Sequence, residues 1–448
     1  MMAIHQQMMQ APSSAGMQGG WRPLLCGALC DRARQVVEEI AEALRPQPAT
    51  LLSGEPVLAT HEAALFASLS SGAAGLAIFF AYLAQLDGRA EQGAQVVTLL
   101  EQAMEGVSAT PMSPALHGGF TGVGWSVAHL VGRFIDPGDE DANTAIDEFL
   151  LDYLRQQPWE MEYDLISGLV GFGVYALERL PNPKAVLCLE RIVDQLSKLA
   201  HERAEGIAWW TPPHLLPEWQ RKRCPQGYHN LGLAHGIPGI LALLGHTYAA
   251  GVATLQCRSL LERAVPWLLA QQIDGPASGF PVWRAAEHPV KSARLAWCYG
   301  DPGVAAALLV AARCTQRTDW EKAAIAIARQ AAQRPHDEAG IADAGLCHGA
   351  AGLGHLFNRM HQATGDPLLG QAAQHWLTYT IEMRQPGRGV AGFPAWAPGE
   401  DDPNPWKSDP GLLAGAAGVG LALLAATTPI PPLWDRTLLV DIPLHPLP

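Results

Sequence analysis

Charge is scarce in this 448-residue chain: Asp, Glu, Lys and Arg together make up 16% of it. So low a share means that much of the chain is buried, as a disordered segment would not be. Basic residues are the scarcer sign, 30 against 43 acidic ones, and the formal net charge is −13. That balance argues against a nucleic-acid or anionic-membrane surface. Cysteine is also sparse. The eight cysteines lack the dense spacing of a disulfide scaffold. The N-terminus has no basic region followed by an apolar one, so no signal peptide is evident. A reduced, cytoplasmic setting is therefore expected, where a conspicuous cysteine suggests metal binding or catalysis. Long runs of large apolar residues are missing as well. The longest uncharged stretch, 411–433, is rich in Gly and Ala and broken by prolines, a poor match to a bilayer span. Strand signals are almost absent, with no sustained alternation of apolar and polar residues.

What remains is an all-α chain, 48% hydrophobic and long enough for a large core. Residues 1–22, rich in Met, Gln, Ser and Gly, are expected to be disordered. Residues 23–448 are expected to form the folded domain. Ala33, Val36, Val37, Ile40, Ala41 and Leu44 fall on one face of a helix ending near Pro46. Gly-x-x-Gly then recurs seven times: Gly72/Gly75, Gly119/Gly122, Gly168/Gly171, Gly236/Gly239, Gly300/Gly303, Gly349/Gly352 and Gly415/Gly418. The first glycines lie 47 to 68 residues apart, room for two helices with their loops. Each pair leads into a run that is apolar on most faces, as a helix buried on all sides requires. More polar amphipathic stretches lie between them. Seven inner and seven outer helices suit a closed α/α toroid better than its competitor, an open solenoid. The long third interval suggests a small insertion within 172–234.

Aligning the seven motifs locates the chemistry. The two residues before the first glycine are Ser70-Ser71, His117-Gly118, Ile166-Ser167, Ala234-His235, Cys298-Tyr299, Cys347-His348 and Leu413-Ala414. Equivalent repeats would bring these positions to one rim. Cys298, Cys347 and His348 then make a three-ligand set for one zinc ion, which favours thiolate and imidazole. The competing reading is that both cysteines are small buried hydrophobes. With a fourth position open, the metal could deprotonate a substrate thiol or activate water for hydrolysis. His235 is a candidate acid/base and Asp164 its orienter or a second proton carrier; a rim histidine and a turn carboxylate are the plainer alternatives. Arg294 and Tyr299 could stabilise a developing oxyanion. Cys188, Cys257 and Cys314 read as core, and Cys224 as part of a solvated basic loop with Arg221, Lys222 and Arg223. The segment 209–213, with its two tryptophans and two prolines, reads equally well as a substrate contact or a packed loop.

The set Asn230…Gly232-Leu233-Ala234-His235-Gly236, Trp297-Cys298-Tyr299-Gly300-x-Pro302-Gly303 and Cys347-His348-Gly349-x-x-Gly352 resembles the lanthionine synthetase C-like family. Tyr163-Asp164…Gly168 and Trp434-Asp435-Arg436 share the likeness, which spans roughly residues 30–440. The resemblance implies a seven-plus-seven α/α toroid with zinc at one end. There, a precursor-peptide cysteine adds to a dehydroalanine or dehydrobutyrine and closes a thioether ring. It matches Cys298, Cys347 and His348 to zinc ligands, His235 and Asp164 to acid/base residues, and Arg294 and Tyr299 to active-site positions of less settled role. The helical pattern begins near Leu24, so a stand-alone cyclase, with the dehydratase not fused to it, is expected. The partners implied are a dehydrated precursor peptide, a separate dehydratase and a membrane exporter, with the enzyme cytoplasmic and peripheral to that complex. Two rival functions stay open: addition of glutathione or another small thiol to dehydroamino acids, and a non-catalytic zinc-containing scaffold that binds peptides.

Overall fold

Each of the seven glycine pairs opens an apolar helix, as the repeat spacing predicts. The computed structural model of the protein describes residues 20–45, 60–86, 90–273, 279–285, 291–398 and 403–444. In chain order the helices begin with α1 (Gly27–Leu44), α2 (Thr60–Ala67), α3 (Ala73–Ala84), α4 (Ala90–Ala109), α5 (Phe120–Leu130) and α6 (Thr144–Tyr153). Next come α7 (Leu169–Glu178), α8 (Pro183–Leu199), the strands β1 (Ala200–Arg203) and β2 (Gly206–Trp209), α9 (Glu218–Arg223) and β3 (His229–Asn230). The chain continues with α10 (Ile237–Ala249), α11 (Thr254–Leu269), β4 (Trp283–Arg284), α12 (Asp301–Thr315) and α13 (Thr318–Ala332). It closes with α14 (Ala350–Thr364), α15 (Pro367–Glu382), β5 (Ala395–Trp396), β6 (Trp406–Lys407) and α16 (Ala416–Thr427).

The first glycine of each pair stands immediately before α3, α5, α7, α10, α12, α14 and α16. The reason is close approach of the helix to its own incoming loop. A Cβ added to Gly122 would lie 1.8 Å from the Leu116 carbonyl oxygen, and one on Gly303 would lie 2.3 Å from that of Trp297. In both cases the carbonyl is six residues upstream, so the loop crosses the first helical turn where a side chain cannot fit. Gly300 adds a second requirement. Its φ of 94° lies in the left-handed region, and a Cβ there would meet the Arg294 oxygen at 2.0 Å.

The helices that follow the glycines are buried all round. In α12 every residue from Asp301 to Cys314 is buried, and in α16 every residue is. The intervening helices bury one stripe. In α8 this is Ala185, Cys188, Leu189, Ile192, Val193 and Leu196; in α13 it is Trp320, Ala324, Ile327, Ala328 and Ala331. Spacings of three and four residues are those of a helix with one solvated face.

The described chain falls into two compact units. The first comprises Met1–Ile146, Ala342–His355 and Gln374–Trp434. Within it α3 packs against α4, α5 and α16, and α16 packs on α1. The backbone N–H of Leu413 donates to Ser70 O at 2.9 Å, and that of Ser70 to His117 O at 2.9 Å. The seventh repeat is thus bonded to the first, the junction an open solenoid leaves bare. Trp21, which the sequence reading placed in the disordered leader, is buried, and its indole N–H donates to Ala425 O at 2.7 Å. The remainder of that leader, residues 1–19, lies outside the described residues.

The second unit comprises Asp147–Ile341, Leu356–Ala373 and Asp435–Pro448. Here α10 packs against α7, α11 and α12, and α12 against α13. The same rim bonding recurs: Leu165 N–H donates to Ala234 O (3.1 Å) and Ala234 N–H to Cys298 O (3.4 Å). Asp435 accepts two hydrogen bonds from Arg359, at 2.5 and 2.7 Å.

Between α8 and α10 the chain forms the antiparallel hairpin β1–β2, then α9, then β3, which pairs with β4. One expectation fails in this stretch. Cys224 is not in a solvated loop but buried, packed with Leu216 and Tyr228 against Trp283 and Ala285. The three cations before it belong to α9 and point outward, while the helix's C-terminal turn carries the thiol inward.

Candidate functional site

The second unit builds one part of the site around two side chains that precede glycine pairs. His235 Nδ1 lies 2.5 Å from Asp164 Oδ2. Asp164 sits in the turn before α7, where its other oxygen accepts the Ser167 N–H at 2.8 Å, so both carboxylate oxygens are committed. His235 directly precedes Gly236, the residue before α10. Its side chain remains 43% exposed while Asp164 is buried, so the imidazole is held at one nitrogen and open at its other edge. Burial lowers the pKa of His235. The hydrogen bond and charge of Asp164, with Cys298 nearby, outweigh that effect and hold it above its ordinary value.

Tyr299 stacks beside this pair, its ring centroid 6.3 Å from that of His235 with the planes 24° apart. Its hydroxyl accepts a 3.3 Å hydrogen bond from Asn230 Nδ2. Burial drives the phenol pKa up against that hydrogen bond, so Tyr299 stays protonated and can serve as a donor. Gly232 makes the arrangement sterically feasible: a Cβ there would fall 2.5 Å from the Tyr299 ring. Asp301 and Trp297 secure the loop that bears Cys298 and Tyr299. The Asp301 carboxylate accepts the Phe280 N–H and an Arg334 N–H, each at 2.7 Å, and the Trp297 indole donates to Leu438 O at 2.9 Å.

Asp164, Asn230, His235 and Tyr299 line a cavity of about 250 Å³. Thr211, Leu215, Pro217 and Gln220, all from the stretch between α8 and α10, line it as well. Of segment 209–213, therefore, Thr211 faces the cavity while Trp209 is packed in the core. Arg294 is half-buried and is not among the residues that line this cavity; its carbonyl backs Gly300 and its Cβ abuts Gly340.

The metal candidates also come together. Cys298, Cys347 and His348 form a cluster in which one ligand atom from each lies within 4.8 Å of the others. Cys298 is buried, and Cys347 and His348 are half-buried. In the first unit the Cys347 N–H donates to Leu413 O at 2.8 Å. His348 Nε2 lies 3.3 Å from Trp396 O and 3.7 Å from Asp343 Oδ2. A proton held at Nε2 by such acceptors leaves Nδ1 as the basic nitrogen, the arrangement that orients a ligating imidazole. Two thiols and one imidazole with an outer acceptor are a donor set that fits zinc. Two of the cysteines set aside as core, Cys188 and Cys257, are buried within α8 and α11. Burial pushes the thiols of Cys188 and Cys257 up to about 12, so they remain protonated and are poor ligands.

Sequence reasoning missed a further column. Asn230, Asp343 and Asp409 each stand six residues before the first glycine of a pair. Each uses its side-chain Oδ1 to accept the N–H two residues on: Gly232 (2.9 Å), Gly345 (3.1 Å) and Gly411 (2.7 Å). The signal was an identically spaced Asn/Asp-x-Gly-x-x-x-Gly-x-x-Gly in repeats four, six and seven. Its physical content is an Asx turn that starts the loop and hands its backbone to the glycines.

The comparisons with known proteins follow from this geometry. The family model "Lanthionine synthetase C-like protein" matches residues 64–439. The chain belongs to that family. "Nisin biosynthesis protein NisC" of Lactococcus lactis subsp. lactis is 23% identical over 311 residues, 64% of this chain and 72% of the relative. The solved structure of "Nisin cyclase" superposes with a TM-score of 0.71 at 18% identity, covering 92% of this chain and 97% of its own. The fold of this family member is accordingly the all-α toroid that the glycine repeats predict. Among its described residues, no helix is long and apolar enough to cross a membrane.

One support beneath the site is pH-sensitive. His229, in β3 beside Asn230, sits with its Nδ1 2.8 Å from Trp209 O and accepts at Nε2 from Arg203 (3.2 Å). Burial pushes its pKa down to about 4 from 6.5, with the Trp209 carbonyl opposing and Arg203 and His201 assisting. A depressed histidine stabilises the fold fully above its unfolded value and loses that stabilisation as pH falls through its folded one. Between pH 6.5 and 4 this group alone should cost about 3 kcal/mol. Urea unfolding at several pH values should show that slope in the wild type and a shallower one in His229→Gln. Parallel slopes would show that His229 does not carry it.

Proposed function

We propose that this lanthionine synthetase C-like enzyme is a zinc-dependent cyclase. In this reading it closes thioether rings by adding a cysteine thiol of a dehydrated precursor peptide to a dehydroalanine or dehydrobutyrine of the same chain. The observation that carries the reading is the donor cluster of Cys298, Cys347 and His348, with Cys298 adjacent in sequence to Tyr299, whose ring stacks beside His235 of the His235–Asp164 pair. Family membership narrows the chemistry from thiol activation or hydrolysis to carbon–sulfur bond formation.

Cys298, Cys347 and His348 would hold the zinc ion. When bound, the metal acidifies a substrate thiol and makes it nucleophilic at neutral pH. The protein's own groups manage the rest. The sulfur–Cβ bond forms as the alkene π pair shifts into an enolate, whose oxygen the neutral Tyr299 hydroxyl is placed to receive. His235, held through Nδ1 by Asp164, presents Nε2 for transfer of one proton to Cα. The thiol surrenders one proton to solvent and Cα receives one, so the balance closes. Arg294 takes no step in this account.

The substrate presupposes a dehydratase that acts first on serine or threonine. We assign that step to a separate partner, with the cyclase cytoplasmic and peripheral to an exporter complex. The decisive experiment incubates pure protein with a dehydrated peptide bearing one cysteine and no added thiol, then alkylates and weighs the product. Cyclisation removes the alkylatable thiol at unchanged peptide mass. Addition of a small thiol such as glutathione would instead require that thiol and raise the mass. Thiols that last as long as in an enzyme-free control would refute the cyclase.

A further inference from the structure

One lining residue of the cavity, Gln220, belongs to α9, whose sequence is Glu-Trp-Gln-Arg-Lys-Arg. Its Gln220 faces inward, lining the cavity and accepting the Tyr228 hydroxyl at 2.7 Å. Arg221, Lys222 and Arg223 face outward and are exposed. Three consecutive cations stand against the helix's one carboxylate, Glu218, in a chain whose formal net charge is −13. Lys222 is paired with Glu218 at 2.8 Å, and the Arg223 guanidinium lies 5.3 Å from the ring of Trp219, itself 40% exposed.

The anchoring beneath this helix is firm. Cys224, Leu216 and Tyr228 pack together against Trp283, and the Cys224 N–H donates to Gln220 O at 2.7 Å. The cations are therefore presented at a defined edge of the cavity. Favourable interaction with the helix C-terminus rationalises one or two of them, but a six-residue helix has little dipole for three. The cavity lining also carries the carboxylates Glu162 and Asp164. Negative charge therefore lies inside the cavity beside His235, and positive charge lies outside it on the exposed face of α9.

We propose that α9 is a docking lip for an acidic stretch of the peptide substrate, held beside the residues that react. The proposal rests on the peptide-cyclase reading and deepens it: carboxylates on the peptide seat at Arg221 and Arg223, and Trp219 covers apolar side chains next to them. Repulsion by Glu162 keeps the acidic stretch away from the reacting end, which sets the direction in which the peptide lies.

The test uses the full-length protein and two fluorescein-labelled peptides of one sequence, with four Asp/Glu in the first and Asn/Gln in the second. Anisotropy titration at low salt should show the acidic probe binding wild type about tenfold tighter. That advantage should shrink in high salt, where exposed charges are screened. The Arg221→Glu/Arg223→Glu protein should lose the advantage and the Arg221→Lys/Arg223→Lys protein should keep most of it. Equal binding of both probes to wild type, or an advantage that survives charge reversal, overturns the proposal. A dehydrated peptide without acidic residues supplies the control: the charge-reversed variant should cyclise it within twofold of wild type. Loss of that turnover at an unchanged melting temperature would also overturn a docking role. If wild type consumed thiol in no dehydrated peptide, the cyclase reading would fail, while the anisotropy comparison would still decide the role of α9.

Discussion

The Cys298→Ala/Cys347→Ala protein is expected to lose its zinc and to cyclise about a thousandfold more slowly, the scale of several kcal/mol that a catalytic metal contributes. With one imidazole left from the cluster, His348, no chelate remains to hold the ion. The fold should survive, because alanine is smaller than cysteine and Cys347 is only half-buried. Metal analysis gives the first readout, near one zinc per wild-type chain and far below one in the double variant. Cys257→Ala is the matched control. Its thiol is fully buried and raised to about 12, so its removal should leave the zinc in place. A double variant that kept a full equivalent of zinc would rule out these ligands. Subsequent assays should find its residual rate insensitive to added chelator.

Replacing His235, the proposed proton carrier, should have an effect of comparable size. His235→Asn is expected to slow cyclisation by about 10²- to 10⁴-fold, the range of a positioned general acid, with zinc content unchanged. The pH profile tests the assignment more sharply. The donating form of His235 is the protonated one, so rate should fall as pH rises through its pKa. Burial lowers that pKa, but the Asp164 hydrogen bond and charge raise it above the ordinary value. Asp164→Asn removes the charge and leaves at most a neutral acceptor for Nδ1, so the alkaline limb should move to lower pH while activity drops. An alkaline limb that stayed in place in Asp164→Asn would detach His235 from the rate. Separately, Tyr299→Phe removes only the hydroxyl that Asn230 contacts, and should lower kcat without moving the alkaline limb.

Much of this could be read from the chain, for identifiable physical reasons. The buried stripe of α1, namely Ala33, Val36, Val37, Ile40, Ala41 and Leu44, is the one that helical spacing predicts. The glycine pairs were legible because a carbonyl crosses each helix start at a distance no side chain tolerates. Cys298, Cys347 and His348 could be brought together on paper because equivalent repeats place equivalent positions at one rim. Cys224 was misread because its neighbours in sequence are cations. A one-turn helix can send three residues to solvent and the fourth into an apolar cluster. Part of the cavity lining was invisible for a related reason. Leu215, Pro217 and Gln220 belong to no repeat, and nothing local marks them as sharing a cavity with His235.

By itself, the sequence determined an all-α chain of seven glycine-led helix pairs, its buried and solvated faces, and the residue types of a thiolate–imidazole metal set. Those are properties of spacing and side-chain chemistry. Closure was a matter for the tertiary structure alone. It rests on backbone bonds such as Leu413 N–H to Ser70 O, which any pair of residues can make and no sequence pattern announces. The partnership of His235 with Asp164, which the sequence offered beside plainer alternatives, was likewise decided only when their loops were placed side by side.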